Sequence, residues 1–248
     1  MFLVEKIRMF GTTQMLMLIT GMTLLIWGVA MLLVNRFVDK RSAEMKQIAL
    51  QLAFSFREMG DGSILSEFSG IPLFRFEQIE FEKNLLTRGM EQAFIAIFDY
   101  TTLLGQTAPS EDAVPTSRTV ICFKTSNMML PPFSVRQKSP LSEQYAAGLE
   151  EHLGYQRIEW TDFPRFDAMY QMYGKDTDKE TIKNLFLNSG LTILCEKEKD
   201  LCIEANGNAL VVHRHLKTIP PQEMEQFLET AVQVHDLLEH SCQYYLPG

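Results

Sequence analysis

The sequence lacks the signatures that announce catalysis. There is no G-x-S-x-G, no H-E-x-x-H, no phosphate-binding loop and no dinucleotide-binding glycine run. There is no C-x-x-C pair, so a zinc ribbon or a thioredoxin-like site has no ligands to start from. Its four cysteines, Cys122, Cys195, Cys202 and Cys242, are too few to frame a chain of 248 residues with disulfides. Positive charge is also short: the formal net charge is −8. Nucleic-acid binding needs a basic patch to displace counterions, so that partner class is excluded. No residue pattern calls for a cofactor, and no complete set of metal ligands is placed by spacing.

What the chain does have is a long run without charge, from Met9 to Asn35. Its centre, Met15 to Val34, holds about 20 mostly apolar residues, enough for a helix to span a bilayer core of ~30 Å. A cleaved signal peptide is the competing reading, with Gly28-Val29-Ala30 as small residues at a cleavage spacing. The apolar run continues through Met31, Leu32, Leu33 and Val34, which is too long for a signal core. The expectation is therefore an uncleaved transmembrane helix at about 11–34, inside an N-terminal segment of residues 1–40. Lys6 and Arg8 precede it, and Arg36, Lys40, Arg41 and Lys46 follow. That excess places the rest of the chain on the cytoplasmic side of a single-pass protein.

Residues 41–248 read as one α+β domain. Met45, Ile48, Ala49 and Leu52 recur at helical spacing. A short helix is expected at 63–68. Ala93–Phe98 and Thr119–Phe123 read as paired strands around a loop from Thr101 to Thr116. Leu130-Pro131-Pro132-Phe133 is set aside as a central strand, because proline donates no ladder bond. Pro140 to Leu153 reads as a helix ended by Gly154. Phe166 to Tyr173 reads as a strand. Thr177-Asp178-Lys179-Glu180 matches a capping box before a helix that stops at Gly190. A three-strand meander is expected over 191–216, with Asn206-Gly207 as a type I′ turn. A last helix follows Pro220-Pro221, with Met224, Phe227, Leu228, Ala231 and Leu238 as its apolar stripe.

Several of these segments are recognisable together. Phe98-Asp99-Tyr100 with Thr101-Thr102, Thr119-Val120, and Pro132-Phe133-Ser134-Val135-Arg136 come first. Phe163-Pro164-Arg165-Phe166, Tyr170, Gly174-Lys175-Asp176, Leu185-Phe186 and the Glu204–Arg214 hairpin come next. In this order they resemble a family of uncharacterised bacterial proteins with one N-terminal membrane span and a soluble domain of unknown function. The likeness covers roughly residues 40–238. It departs after Tyr100, where Leu103-Leu104-Gly105 stands in place of a tyrosine and a glycine-rich turn. The resemblance implies the anchor and the α+β domain, and brings no activity with it.

Three candidates for chemistry stand out. Asp99 ends an apolar strand and offers a general base, or else orders the loop after it through its backbone. His213 and His215 lie two apart, so on a strand both project from one face and can start a metal site. His235, His240 or Cys242 of the last helix would have to complete it, since two ligands do not close a tetrahedron. The competing reading is a solvated strand face. Tyr170 and Tyr173, with Phe166, are candidates to line a pocket, though aromatics on strands are mostly core.

The expected fold is thus a curved antiparallel sheet of about seven strands with covering helices, comparable to a PH-like barrel by analogy. The expected function is a membrane-tethered binding or scaffold module for a protein partner, held to the lipid bilayer by its N-terminal helix. The alternative is a membrane-anchored hydrolase using Asp99 with His213 or His215. A subunit acting through the span itself is a third reading.

Overall fold

The computed structural model describes residues 12–76, 78–91, 93–104 and 114–245. Backbone contacts divide the chain into Met1–Met45 and Lys46–Gly248.

The apolar run lies in one helix, α1, Thr12–Gln51. Forty residues make it about 60 Å long. Its described side chains from 15 to 29 are exposed, including Leu16 at 70%, Met17 at 74% and Trp27 at 63%. Two hydroxyls turn back onto the helix: Thr20 donates to the Leu16 carbonyl at 2.8 Å and Thr23 to that of Ile19 at 2.6 Å. The expected span at 11–34 falls partly outside the described residues. Among those described, no helix is long and apolar enough to cross a membrane.

The second unit is built on one antiparallel sheet. Its strands are β1 (Ser55–Met59), β2 (Gln78–Gly89), β3 (Ala93–Leu104), β4 (Val114–Thr125) and β5 (Leu130–Gln137). Then come β6 (Gln156–Ile158), β7 (Tyr170–Gly174), β8 (Leu201–Gly207) and β9 (Ala209–Arg214). They lie in the order β1-β2-β3-β4-β9-β8-β5-β7-β6. The sheet has nine described strands instead of about seven, and it is open, with β1 and β6 at its edges. The barrel analogy therefore does not hold.

Side chains alternate between the two faces. On the first face Phe98 pairs with Val120, and Val120 with His213. Phe68, Ile71, Leu73 and Phe74 pack there, from the segment carrying α2 (Ser63–Glu67) and α3 (Leu73–Phe76). Helix α4 (Pro140–Leu153) adds Tyr145, Ala146 and Leu149, which pack with Tyr155 and Tyr173. On the second face lie Ile97, Ile121, Val212, Ile203, Val135 and Met172. Helices α5 (Pro164–Met169), α6 (Lys179–Ser189), α7 (Leu191–Lys197) and α8 (Met224–Tyr245) accompany that side. The rings of Phe133, Trp160, Phe166 and Phe186 interlock there at 5.4–6.3 Å.

Several local expectations change, each for a physical reason. Leu191–Cys195 is helix, not strand: Leu191, Leu194 and Cys195 are buried at helical spacing while Ile193 is exposed. The meander is thus the β8–β9 hairpin alone. Its turn is Gly207-Asn208, flanked by the pair Asn206–Ala209. Only Gly207 has positive φ there, 61°, which matches a type II′ arrangement with glycine first. Phe166 to Met169 is helical because Pro164 starts α5 at its first position, and the strand begins at Tyr170. Pro131 and Pro132 do lie in a central strand. They sit at the register shift between Leu130 and Phe133, where no ladder donor is required of them. Lys179 begins α6 without a side-chain cap; the capping box is instead Ser139 with Ser142, at the start of α4. β3 and β4 extend to Leu104 and from Val114, so the expected 101–116 loop is shorter.

Candidate functional site

Asp99 is buried in the middle of β3. Its carboxylate accepts from Asn84 Nδ2 at 2.8 Å and from Thr119 Oγ1 at 2.9 Å. The Thr119 hydroxyl accepts in turn from the Ile219 backbone N–H at 2.9 Å. Asn84 stands at the irregular register of β2, with φ 53°. Asp99 therefore joins three strands and the segment leading to α8.

Asp99 faces Thr119, and Thr119's neighbour Val120 faces His213. By alternation the Asp99 and His213 side chains project from opposite faces of the sheet. His213 is fully buried, so its strand face is not solvated. His215 lies past the end of β9, where its backbone N–H donates to the Asp200 carbonyl. Its Nε2 meets Ser139 Oγ at 3.0 Å. Neither histidine belongs to a group of three metal-binding side chains among the described residues. Such a group does occur on α8: His235, Asp236 and Glu239, without His240 or Cys242. His235 Nδ1 lies 3.0 Å from the Asp236 carboxylate. Tyr170 and Tyr173 do not share a pocket either. Tyr170 donates to the Cys195 carbonyl on the α7 side at 2.9 Å, while Tyr173 packs with α4.

The first face holds a buried polar cluster that sequence reasoning missed. Glu204 of β8 is fully buried and ion-paired to the buried Arg136 of β5. It also accepts from the Leu73 backbone N–H at 2.7 Å and from the Tyr145 hydroxyl at 3.3 Å. The Arg136 guanidinium lies over the Tyr145 ring, 3.3 Å from its centroid. Burial is the largest influence on the Glu204 carboxyl and pushes it up, but the Arg136 charge and hydrogen bond together with the neighbouring His213 outweigh it and hold the carboxyl down at about 2. His213 Nε2 is 4.0 Å from Glu204, beyond hydrogen-bond reach. Burial, helped by the Arg136 and Arg118 charges, lowers the imidazole to about 4, so it is neutral near pH 7. Glu82 of β2 closes the other end of this face, accepting from the Gly62 and Leu65 N–H groups. The sequence signal was there to find: a charge at inward positions of the apolar strands around Arg136 and Glu204.

Beside this cluster is a polar cavity of about 260 Å³. Arg75 of α3, His152 of α4, Tyr155, Lys175 and Asn206 line it, over Pro132 of β5. Asn206 is held by the Gly70 carbonyl at 3.0 Å. A side chain at Gly70 would press on that carboxamide, its Cβ 2.9 Å from Nδ2.

All four cysteines are buried free thiols. Cys195 rides on α7 and Cys202 on β8, so they do not face each other across a hairpin.

No family model and no curated protein matches the sequence. Among solved structures, the crystal structure of the mycobacterial trehalose monomycolate transport factor A is similar to this chain. The TM-score is 0.54 at 13% identity, over 79% of this chain and 93% of that one. At that identity the likeness concerns the fold, a large antiparallel sheet with helices.

Proposed function

We propose that this chain is a binding or scaffold module tethered to a membrane, acting on a protein partner at the membrane surface. The observation that carries the reading is the helix α1. Consecutive residues Leu16, Met17, Leu18 and Ile19 are each more than half exposed, so the helix is apolar on every side. A helix of that kind needs an apolar surrounding, and a bilayer provides it. The Thr20 and Thr23 hydroxyls, bonded within the helix, are dressed for the same medium. We place the domain on the cytoplasmic side and the chain within the single-span family that its motifs resemble. The structural neighbour is named as a transport factor, and a non-catalytic role beside a membrane fits that name.

The binding reading is favoured over the hydrolase because the proposed catalytic groups are already engaged. Asp99 is fixed by two donors and faces away from His213. His215 is bonded to Ser139 at the start of α4. Affinity capture of the intact protein from native membranes tests the proposal. A defined protein partner should be retained equally by Asp99→Asn and His215→Ala variants that remain folded. Loss of cellular function in folded Asp99→Asn, with the partner still bound, would favour the hydrolase. A partner retained by residues 1–45 alone would favour action through the span.

A further inference from the structure

We infer that the cavity between α3, the end of α4 and the ends of β5, β7 and β8 binds a phosphate group. Two cations open onto it, Arg75 and Lys175. Both are exposed, and among the described residues neither is ion-paired. That sets them apart from Arg57, Lys124, Lys138, Arg157 and Arg214, each within 4.0 Å of a carboxylate. In a chain of net charge −8, two uncompensated cations at one cavity mark a place for a negative ligand.

Tyr155 is the second observation. It is only 3% exposed and lines the cavity, its ring fixed against Tyr145, Leu149 and Tyr173. Among the described residues its hydroxyl makes no hydrogen bond. The hydroxyl opens onto the cavity, and an oxyanion there would accept from it. The acids that act on this hydroxyl are Glu204, compensated by Arg136, and Asp178. Of the two cations, Arg75 acts on this hydroxyl against them.

The donors select phosphate over a simple carboxylate. A guanidinium, an ammonium and a phenol converging from three elements suit an anion with three terminal oxygens. The volume of about 260 Å³ admits a phosphate with a small substituent and leaves anything larger outside. Free phosphomonoesters and lipid headgroups share that chemistry. The inference does not rest on the tether, because a soluble phosphomonoester can occupy the cavity whether or not α1 is in lipid.

The test is calorimetric titration of the full chain in neutral detergent micelles. The probes are inorganic phosphate, glycerol 3-phosphate, and lysophosphatidic acid mixed into the micelles. Saturable one-to-one binding is expected for at least one probe. The soluble esters binding would point to a free ligand, and the lipid alone to a headgroup; both support the site. Arg75→Ala and Lys175→Ala should each weaken binding about tenfold or more, as loss of a charged hydrogen bond implies. Tyr155→Phe should weaken it several-fold with the thermal midpoint unchanged. Lys197→Ala, on α7 across the sheet, should leave it alone. No saturable binding by any probe, or binding indifferent to both Arg75→Ala and Lys175→Ala, overturns the inference.

Discussion

Glu204 gathers most of the buried polar bonding on the first face, and its neighbour His213 gives that bonding a pH dependence. His213 has its proton affinity lowered in the fold, from 6.5 to about 4. Below pH 6.5 the unfolded chain takes a proton that the folded one refuses. Stability fully present above pH 6.5 is therefore lost as the pH falls toward 4. For this buried ring the gap is worth about 3 kcal/mol. Glu204 acts in a lower window, from 4.5 down to about 2, and in the same direction. Urea unfolding of the full chain in micelles should show a loss of at least about 3 kcal/mol between pH 6.5 and 4, because burial lowers His215 to about 4 as well and its loss adds in the same window. His213→Phe, which keeps the ring and removes the titration, should flatten much of that slope; an unchanged slope would refute the assignment. Asp99 makes a separate test. Asn at this position presents an N–H₂ to one of two donors, so Asp99→Asn should cost about 1–3 kcal/mol of stability. A neutral effect would mean that the Asn84 and Thr119 bonds do not hold the carboxylate as described. From sequence alone Asp99 reads as a base or as a residue that orders the next loop, and His213 as a metal ligand or as solvated. What could not be read was register, which puts these two residues on opposite faces.

Elements carrying their own punctuation were legible. Pro140, Gly154 and the apolar spacing between them give α4 its observed limits. The stripe Met224, Phe227, Ala231 and Leu238 is buried as expected, with Leu228 only half-buried beside it. Strands β3 and β4 were visible as β-branched and aromatic runs. The elements that escaped notice have patterns broken by tertiary demands. In β2, Phe81 is 47% exposed while Glu82 and Asn84 are buried, the reverse of an ordinary alternation. β6 is three residues long and has no pattern to show. α7 is rich in residues that favour strands, and its burial spacing alone makes it a helix. The cavity was invisible because Arg75, Tyr155 and Lys175 come from distant elements. The weight carried by α8 can be measured. Phe227→Ala should destabilise by about 3–5 kcal/mol, the ordinary cost of emptying a buried phenylalanine site. Ile193→Ala, at a position 70% exposed on α7, should stay within about 0.5 kcal/mol. Equal effects of the two changes in chemical unfolding would contradict the packing of α8.

At the scale of the whole molecule, the chain joins two units of opposite character. Met1–Met45 carries the apolar helix, and Lys46–Gly248 carries the sheet and its helices. The open sheet leaves β1 and β6 at its edges, and both are short, five and three residues. Short edges discourage strand-to-strand association, so the binding role proposed above would use side chains instead of an added strand. This picture depends on α1 being in lipid. The direct measurement is alkaline extraction of native membranes containing the full chain or a Thr23→Arg, Leu24→Arg double variant. Two arginines at the centre of the run should cost about 5–7 kcal/mol of insertion. The account predicts that the unaltered chain stays with the membrane pellet while the double variant moves to the supernatant with its sheet domain folded. An unaltered chain released by alkali, or a double variant that remains in the pellet, would contradict it.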